Sequence, residues 1–189
     1  MSTMQCSLLS LGCVFGFAAP DEQTKLNALR ALKIAQRRLR PEVRAKLLSV
    51  TSARSNGNLT PTAWRFVFLD PGTSGHCRVV TVAAKASSEH PDTVEAFSSS
   101  KMESADSLLP IPQNKLLFDS DRLIEQARAA SKLKGVNAAE FRLLQPRSGR
   151  EPVWELHFFA EDGGPLSAFR IGAKTGATSV LENESVEAN

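Results

Sequence analysis

The side chains best suited to metal or nucleophilic chemistry in this chain are His76, Cys77 and His90. His76 and Cys77 are adjacent, so on a β-strand they would point to opposite faces of the sheet. A structural zinc site usually needs four ligands at short, regular cysteine or histidine spacings. The chain has 3 cysteines and 3 histidines and no such spacing. The sequence therefore predicts no metal site.

Acid–base chemistry has one candidate pair, His157 and Glu155. The two residues would share one face of a strand and could exchange a proton. A nucleophile such as Cys77 would have to come from a distant part of the chain. The acids Asp70, Glu161 and Asp162 fall at predicted turns, where carboxylates commonly hydrogen-bond the backbone. No glycine-rich loop precedes a helix at phosphate-binding spacing. We therefore expect no catalytic residues, no cofactor and no enzymatic activity.

An internal repeat organises the elements around these residues. Trp64 and Trp154 open similar strings, AWRFVFLDPGTSGHCRVVTVAAKAS and VWELHFFAEDGGPLSAFRIGAKTG. Each tryptophan begins an alternating apolar run, which is typical of a half-buried strand. Each run ends in a turn rich in glycine and proline, at residues 71–75 and 163–165, and a further apolar strand follows.

A helix precedes each of these strands. Apolar residues recur with helical spacing over residues 24–39 and again over 118–133. Short strands are predicted at 47–54 and 140–146 after the helices, and closing strands at 93–98 and 178–181. The pattern predicts two units of α-β-β-β-β order. The predicted boundaries are a signal peptide at 1–19, a first unit at 20–98, a linker at 99–113, a second unit at 114–182 and a tail at 183–189.

The predicted fold class is α+β, with two tandem units that each pack one helix on a four-stranded antiparallel sheet. One helix can cover only one face of such a sheet, so the opposite face must meet solvent, the other unit or a partner. Apolar anchors beside charged groups are typical of protein interfaces. The residues predicted to form a partner-binding surface on the uncovered faces are Arg65, Val67, Leu69, Val79, Glu155, His157, Phe159 and Arg170.

The N-terminal residues resemble an export signal. Residues 8–17 are mainly apolar, small residues follow, and Pro20 begins a charged stretch. A run of about 10 apolar residues is too short to span a bilayer. We expect an extracytoplasmic protein, either periplasmic or secreted, without a transmembrane segment. A second interpretation uses Cys13 as a lipidated N-terminus.

Positive charge is concentrated in the first predicted helix. The net charge is only +3, but residues 21–50 contain eight basic residues and three acidic ones. Arg30, Lys33, Arg37 and Arg40 recur at helical spacing and would share one face. Such a face is either solvated or in contact with an anionic surface. Nucleic acid is not expected, because no aromatic side chains interleave with these charges.

The second unit resembles a PepSY domain. The resemblance rests on an aromatic-led central strand and on the closing hairpin Ile171-Gly172-Ala173-Lys174-Thr175-Gly176-Ala177-Thr178. The aspartate often found before the Thr-Gly turn of such domains is absent, and the first unit matches in pattern only. Tandem units of this kind also resemble the architecture of β-lactamase inhibitor proteins, which present a concave double sheet to a target enzyme.

This resemblance implies a non-enzymatic module without a cofactor. We therefore expect an exported protein that binds another protein through its exposed sheet faces, as an inhibitor or modulator of an extracytoplasmic protein such as a peptidase. The alternative is an envelope-associated structural protein that its basic N-terminal helix holds to an anionic surface. Fold analogy alone does not decide between these functions.

Overall fold

In the computed structural model, helices precede four consecutive strands in each half of the chain. The structure describes residues 26–55, 57, 59–73, 76–84, 94–99, 108–131 and 133–181, with 94–99 described by backbone only. The predicted leader (1–19), the tail (183–189), Cys13 and His90 lie outside these ranges. Most of the predicted linker lies outside them as well.

The helices are α1 (Ala28–Arg37), α2 (Pro41–Arg44) and α3 (Ser120–Ala130), and a 3-10 turn covers Gln113–Lys115. The strands are β1 (Leu47–Ser52), β2 (Ala63–Leu69), β3 (Cys77–Ala84), β4 (Val94–Ser99), β5 (Ala138–Leu144), β6 (Val153–Phe159), β7 (Pro165–Gly172) and β8 (Thr178–Leu181). Both tryptophan-led runs therefore form strands, β2 and β6.

All eight strands belong to one sheet, in the order β4-β3-β2-β1-β5-β6-β7-β8. The prediction of two tandem units, each with its own four-stranded sheet, is therefore wrong. The physical reason is the exposed edge that each unit would present. A lone unit leaves the N–H and C=O groups of its first strand unpaired. In the structure β1 and β5 satisfy each other by pairing antiparallel, with Val50 opposite Leu143 and Thr51 opposite Arg142.

Serine side chains extend this seam beyond the short backbone ladder. The hydroxyl of Ser52 accepts a hydrogen bond from the Phe141 N–H at 2.9 Å, and the hydroxyl of Ser55 accepts one from the Ala139 N–H at 2.8 Å. The Ser55 N–H in turn donates to the Ala139 carbonyl at 3.0 Å. Both serines are buried. Small hydroxyl residues thus replace backbone partners where the two halves of the sheet diverge.

One hydrophobic core lies between the helices and the sheet. Trp64 and Trp154 are both fully buried in it, and their rings meet edge to face with centroids 6.3 Å apart. Apolar residues of both helices join the same cluster, including Ala31 and Leu32 of α1 and Leu123 of α3. Both tryptophans therefore belong to one core.

The N-termini of the two longer helices also meet. Asp119, the N-cap of α3, accepts hydrogen bonds from the N–H of Ser120 at 2.7 Å and from the N–H of Leu29 in α1 at 3.2 Å. The Ser120 hydroxyl accepts from the Ala28 N–H at 3.2 Å. One pair of side chains therefore caps two helices, which ties the halves together in the helical layer as well as in the sheet.

Candidate functional site

Among the described residues, all helices lie on one side of the sheet, and we call the opposite side the helix-free face. Strand alternation and register place one row of side chains across its middle. In β2, Arg65 lies opposite Thr81 of β3 and Thr51 of β1. The row continues through the second half of the sheet as Arg142 of β5, Glu155 of β6 and Arg170 of β7. The eight residues predicted to bind a partner all lie on this face.

The first half of the helix-free face is mostly closed. Val67 is 0% exposed and Val79 is 5% exposed, and both pack with Leu48 and Cys77 in a small second core. Leu69 and Leu108 cover the margin of this cluster. Burial of these valines is therefore intramolecular, which leaves them little surface for a partner.

The second half of the helix-free face is open and charged. Arg142 and Arg170 are exposed, whereas Glu155 and His157 are partly buried. Arg170 donates through Nη2 to the Glu155 carboxylate at 2.8 Å, so the two side chains form an ion pair. Across the strand pairing, Glu155 also lies opposite Arg142. Two arginines thus flank one carboxylate in the middle of this half.

An arginine covers the predicted aromatic anchor. The guanidinium carbon of Arg54 lies 3.5 Å from the centroid of the Phe159 ring, which leaves Phe159 only 8% exposed. Arg54 also approaches the Glu140 carboxylate, with Nε 3.8 Å from Oε2. A cation stacked on an aromatic face is favourable and retains hydrogen-bond donors for a further ligand. Sequence reasoning singled out Phe159 but missed Arg54, which lies just after β1.

A groove of about 700 Å³ opens at the end of the helix-free face, between the β5–β6 turn and the β7–β8 turn. We call it the basic groove. Its wall includes the apolar residues Leu144 and Val153. Its charged side chains are Lys115, Arg150, Arg170, Lys174 and a single acid, Glu151. The groove therefore combines an apolar wall with an excess of positive charge.

Glu151 is engaged with the neighbouring turn. Its carboxylate accepts hydrogen bonds from the N–H groups of Lys174 and Thr175, both at 3.0 Å, and from the Thr175 hydroxyl at 2.5 Å. The hydroxyl of Thr175 is the largest cause of the lowered pKa of Glu151. A Cβ atom at Gly172 would lie within 3 Å of both Glu151 and Thr175, so a larger residue there would have to displace these two side chains. A carboxylate from the β5–β6 connection thus holds the Thr-Gly turn.

Asp70 is a structural acid. Its side chain is 0% exposed and accepts hydrogen bonds from Arg40 and Arg78, each at 2.8 Å. The Gly72 N–H also donates to it, at 3.1 Å. The hydrogen bond from Arg78 is the largest cause of the lowered pKa of Asp70, and burial partly opposes it. These contacts fix the β2–β3 turn.

The predicted basic helix face is shorter than its four residues suggested. Helix α1 ends at Arg37, and Arg40 is the N-cap of α2. The Arg40 side chain binds Asp70 and Glu42. Lys33 and Arg37 are exposed on α1, and Arg30 is partly buried. The stripe therefore reduces to two exposed cations on one short helix.

The candidate nucleophile, Cys77, lies far from the candidate base, His157. Cys77 and His157 lie on strands four places apart in the sheet order, about 19 Å at the usual strand spacing. Cys77 is fully buried. His76 lies in the β2–β3 turn with a φ of 52°. Within the described ranges, no group of three or more His, Cys, Asp or Glu side chains could hold a metal ion.

Sequence reasoning missed the basic groove because three of its four cations lie outside the strands. Lys115, Arg150 and Lys174 follow no periodic pattern. One signal was available: in an antiparallel sheet the turns after β5 and β7 lie at the same end. Basic residues in both turns would therefore converge.

No family model, no curated protein and no solved structure matches the chain. Among the residues that the structure describes, no helix is long and apolar enough to cross a membrane.

Proposed function

We propose that this chain is a non-enzymatic, exported binding protein that contacts another protein through the second half of its helix-free face. The observation that carries the proposal is the open arrangement of Arg142, Glu155 and Arg170 beside Arg54 and Phe159. An ordered ion pair and an arginine-covered aromatic ring lie on one rigid sheet surface that no described helix covers.

The residue types favour a protein partner. Arginine and aromatic side chains carry much of the binding energy in protein interfaces, where they are surrounded by polar groups that exclude water. Here Arg54 and Phe159 form the arginine–aromatic element, and Glu140 and His157 border it. Because the groups lie on paired strands, binding would require little reorganisation of the backbone.

Export is proposed from the leader-like residues 1–19. Inhibition of an extracytoplasmic protein such as a peptidase is one activity that such a binding protein would have. Attachment to an anionic surface has less support. Arg40, one of its four predicted contacts, is committed to Asp70.

Partners are captured on the immobilised protein from the extracytoplasmic fraction of producing cells and identified by mass spectrometry. Calorimetry then measures the affinity of the purified partner. Arg142→Glu and Arg54→Ala should each weaken binding at least about tenfold, which corresponds to ~1.4 kcal/mol. Arg128→Glu is the matched control, because Arg128 is exposed on α3, on the other side of the sheet. Equal affinity of all three variants and the unaltered chain would refute the proposal.

A further inference from the structure

From the basic groove we infer the chemistry of the partner: the groove binds an acidic, extended segment of the partner protein. This inference rests on the proposed function and adds a second contact at the end of the helix-free face. Arg170 belongs to both, because it borders the groove and pairs with Glu155.

The charges in the groove leave a positive excess for a ligand. Lys115, Arg150 and Lys174 line the groove with one carboxylate, Glu151, whereas Arg170 is already paired with Glu155. The carboxylate of Glu151 accepts three hydrogen bonds from the β7–β8 turn. Arg150 and Lys174 are exposed, one on each turn. Carboxylates on a bound segment would therefore meet two cations from opposite sides.

The backbone that carries these cations is held in place. Gln145 donates through Nε2 to the Arg150 carbonyl at 2.6 Å and so closes the β5–β6 turn. The N–H groups of Leu117 and Phe118 donate to the Ala173 carbonyl at 2.9 and 3.2 Å, which fixes the segment after Lys115 against the β7–β8 turn. A preorganised backbone lowers the entropic cost of binding.

The shape of the groove favours a peptide. It is an open trough and not an enclosed cavity, so a small molecule would stay largely in contact with water, whereas small-molecule sites typically enclose their ligands. Leu144 and Val153 supply an apolar wall between the cations. An extended segment with acidic side chains on both sides of one apolar side chain, all on the same face, would match both features.

The test uses a synthetic nine-residue peptide, acetylated and amidated, with alternating glutamate and serine and one central leucine. Its control has glutamine in place of every glutamate. Calorimetry at low salt should show binding of the glutamate peptide, at least tenfold weaker binding of the glutamine peptide, and weaker binding as salt rises. Equal binding of both peptides, or no binding of either, would overturn the inference.

Variants locate the site. Arg150→Glu with Lys174→Glu should reduce affinity for the glutamate peptide at least tenfold, whereas Arg128→Glu with Lys134→Glu, a matched pair of exposed residues outside the groove, should leave it unchanged. Thermal melts check that each pair folds. Undiminished peptide binding by the Arg150 and Lys174 pair would contradict the assignment. The assignment would also be contradicted if the protein bound vesicles of anionic but not of neutral phospholipid through Arg150 and Lys174 and did not bind the glutamate peptide.

The two proposals fail separately. If the captured partner needs Arg142 and the glutamate peptide does not bind, the groove assignment is wrong and the proposed function stands. If Arg142→Glu and Arg54→Ala leave partner binding intact, the proposed function is wrong whatever the peptide does.

Discussion

The indole rings of Trp64 and Trp154 meet edge to face, with centroids 6.3 Å apart and planes at 77°. Their strands, β2 and β6, are three places apart in the sheet, about 14 Å at the usual spacing. Two large side chains therefore reach toward each other over the seam between β1 and β5. The contact joins the two halves of the repeat in one core.

This contact predicts that the two tryptophans are energetically coupled. Each Trp→Ala change should cost about 3–5 kcal/mol of unfolding free energy, the usual range for a buried aromatic residue. Because the rings touch, the double variant should lose less than the sum, by roughly 0.5–1.5 kcal/mol. Denaturant unfolding of the four proteins measures this coupling. Strict additivity would mean that the halves do not share a core.

The tryptophans differ in hydrogen bonding, so Phe substitutions should separate them. Trp64 Nε1 donates to the Leu26 carbonyl at 2.6 Å, whereas Trp154 Nε1 has no partner among the described residues. Trp64→Phe should therefore destabilise by about 1 kcal/mol more than Trp154→Phe. Equal losses in chemical denaturation would contradict the assigned hydrogen bond.

Asp70 should make the protein sensitive to acid. Its pKa is lowered in the folded state, so its contribution is present above about pH 4, the ordinary value of an aspartate, and is lost as the pH falls through the lowered pKa. Asp70→Asn should cost about 1.5–3 kcal/mol at neutral pH, the usual range for a hydrogen bond to a charged group, because Arg40 and Arg78 lose a carboxylate acceptor. The variant should also lose less stability on acidification. Parallel pH profiles of the unfolding free energy would contradict this.

Asp119 should behave in the opposite way. Burial is the largest cause of its raised pKa, against hydrogen bonds from Ser120 and Leu29 that lower it. Protonation as the pH falls through this raised pKa therefore favours the folded state. Asp119→Ala should cost about 1–2 kcal/mol, because two helix N-termini lose an acceptor. Asp119→Asn keeps an acceptor without a buried charge and should cost less. An Asn variant as unstable as the Ala variant would be the contrary result in thermal melts.

Ionisation of the Glu151 carboxylate should change the NMR signals of the β7–β8 turn that it holds. The amide proton shifts of Lys174 and Thr175 should titrate with a pKa below about 4.3, the ordinary glutamate value, since both N–H groups donate to this carboxylate. Glu151→Gln should abolish that titration and speed amide exchange at both positions. NMR on labelled protein measures both effects. Titration of these two amide shifts at the ordinary glutamate pKa would contradict the hydrogen bonds assigned to Glu151.

Strand alternation made much of the sheet predictable. The runs led by Trp64 and Trp154 form β2 and β6, and the residues assigned to the uncovered face do lie opposite the helices. How the halves join was not predictable from one sequence, because the seam depends on an edge-to-edge pairing completed by Ser52 and Ser55. Isolated serines near a strand end look like ordinary turn residues.

The candidate site was predictable only in part, for a related reason. Alternation assigns residues to a face but does not give the depth of burial. Val67 and Phe159 alternate in the same way, yet the first is enclosed by a second small core and the second lies beneath an arginine. The covering residue, Arg54, and the groove residues Arg150 and Lys174 come from loops, where no period relates sequence to position.

Site-specific photo-cross-linking is the most direct test of the central claim that a partner protein binds the helix-free face. A photoreactive phenylalanine analogue is placed at Arg142 on that face and, in a matched protein, at Arg128 on α3. Both are irradiated in the extracytoplasmic fraction, and the products are analysed by mass spectrometry. Binding of a partner to the helix-free face predicts a defined protein adduct from position 142 and none from position 128. Adducts from position 128 alone, or the same products from both positions, would contradict it.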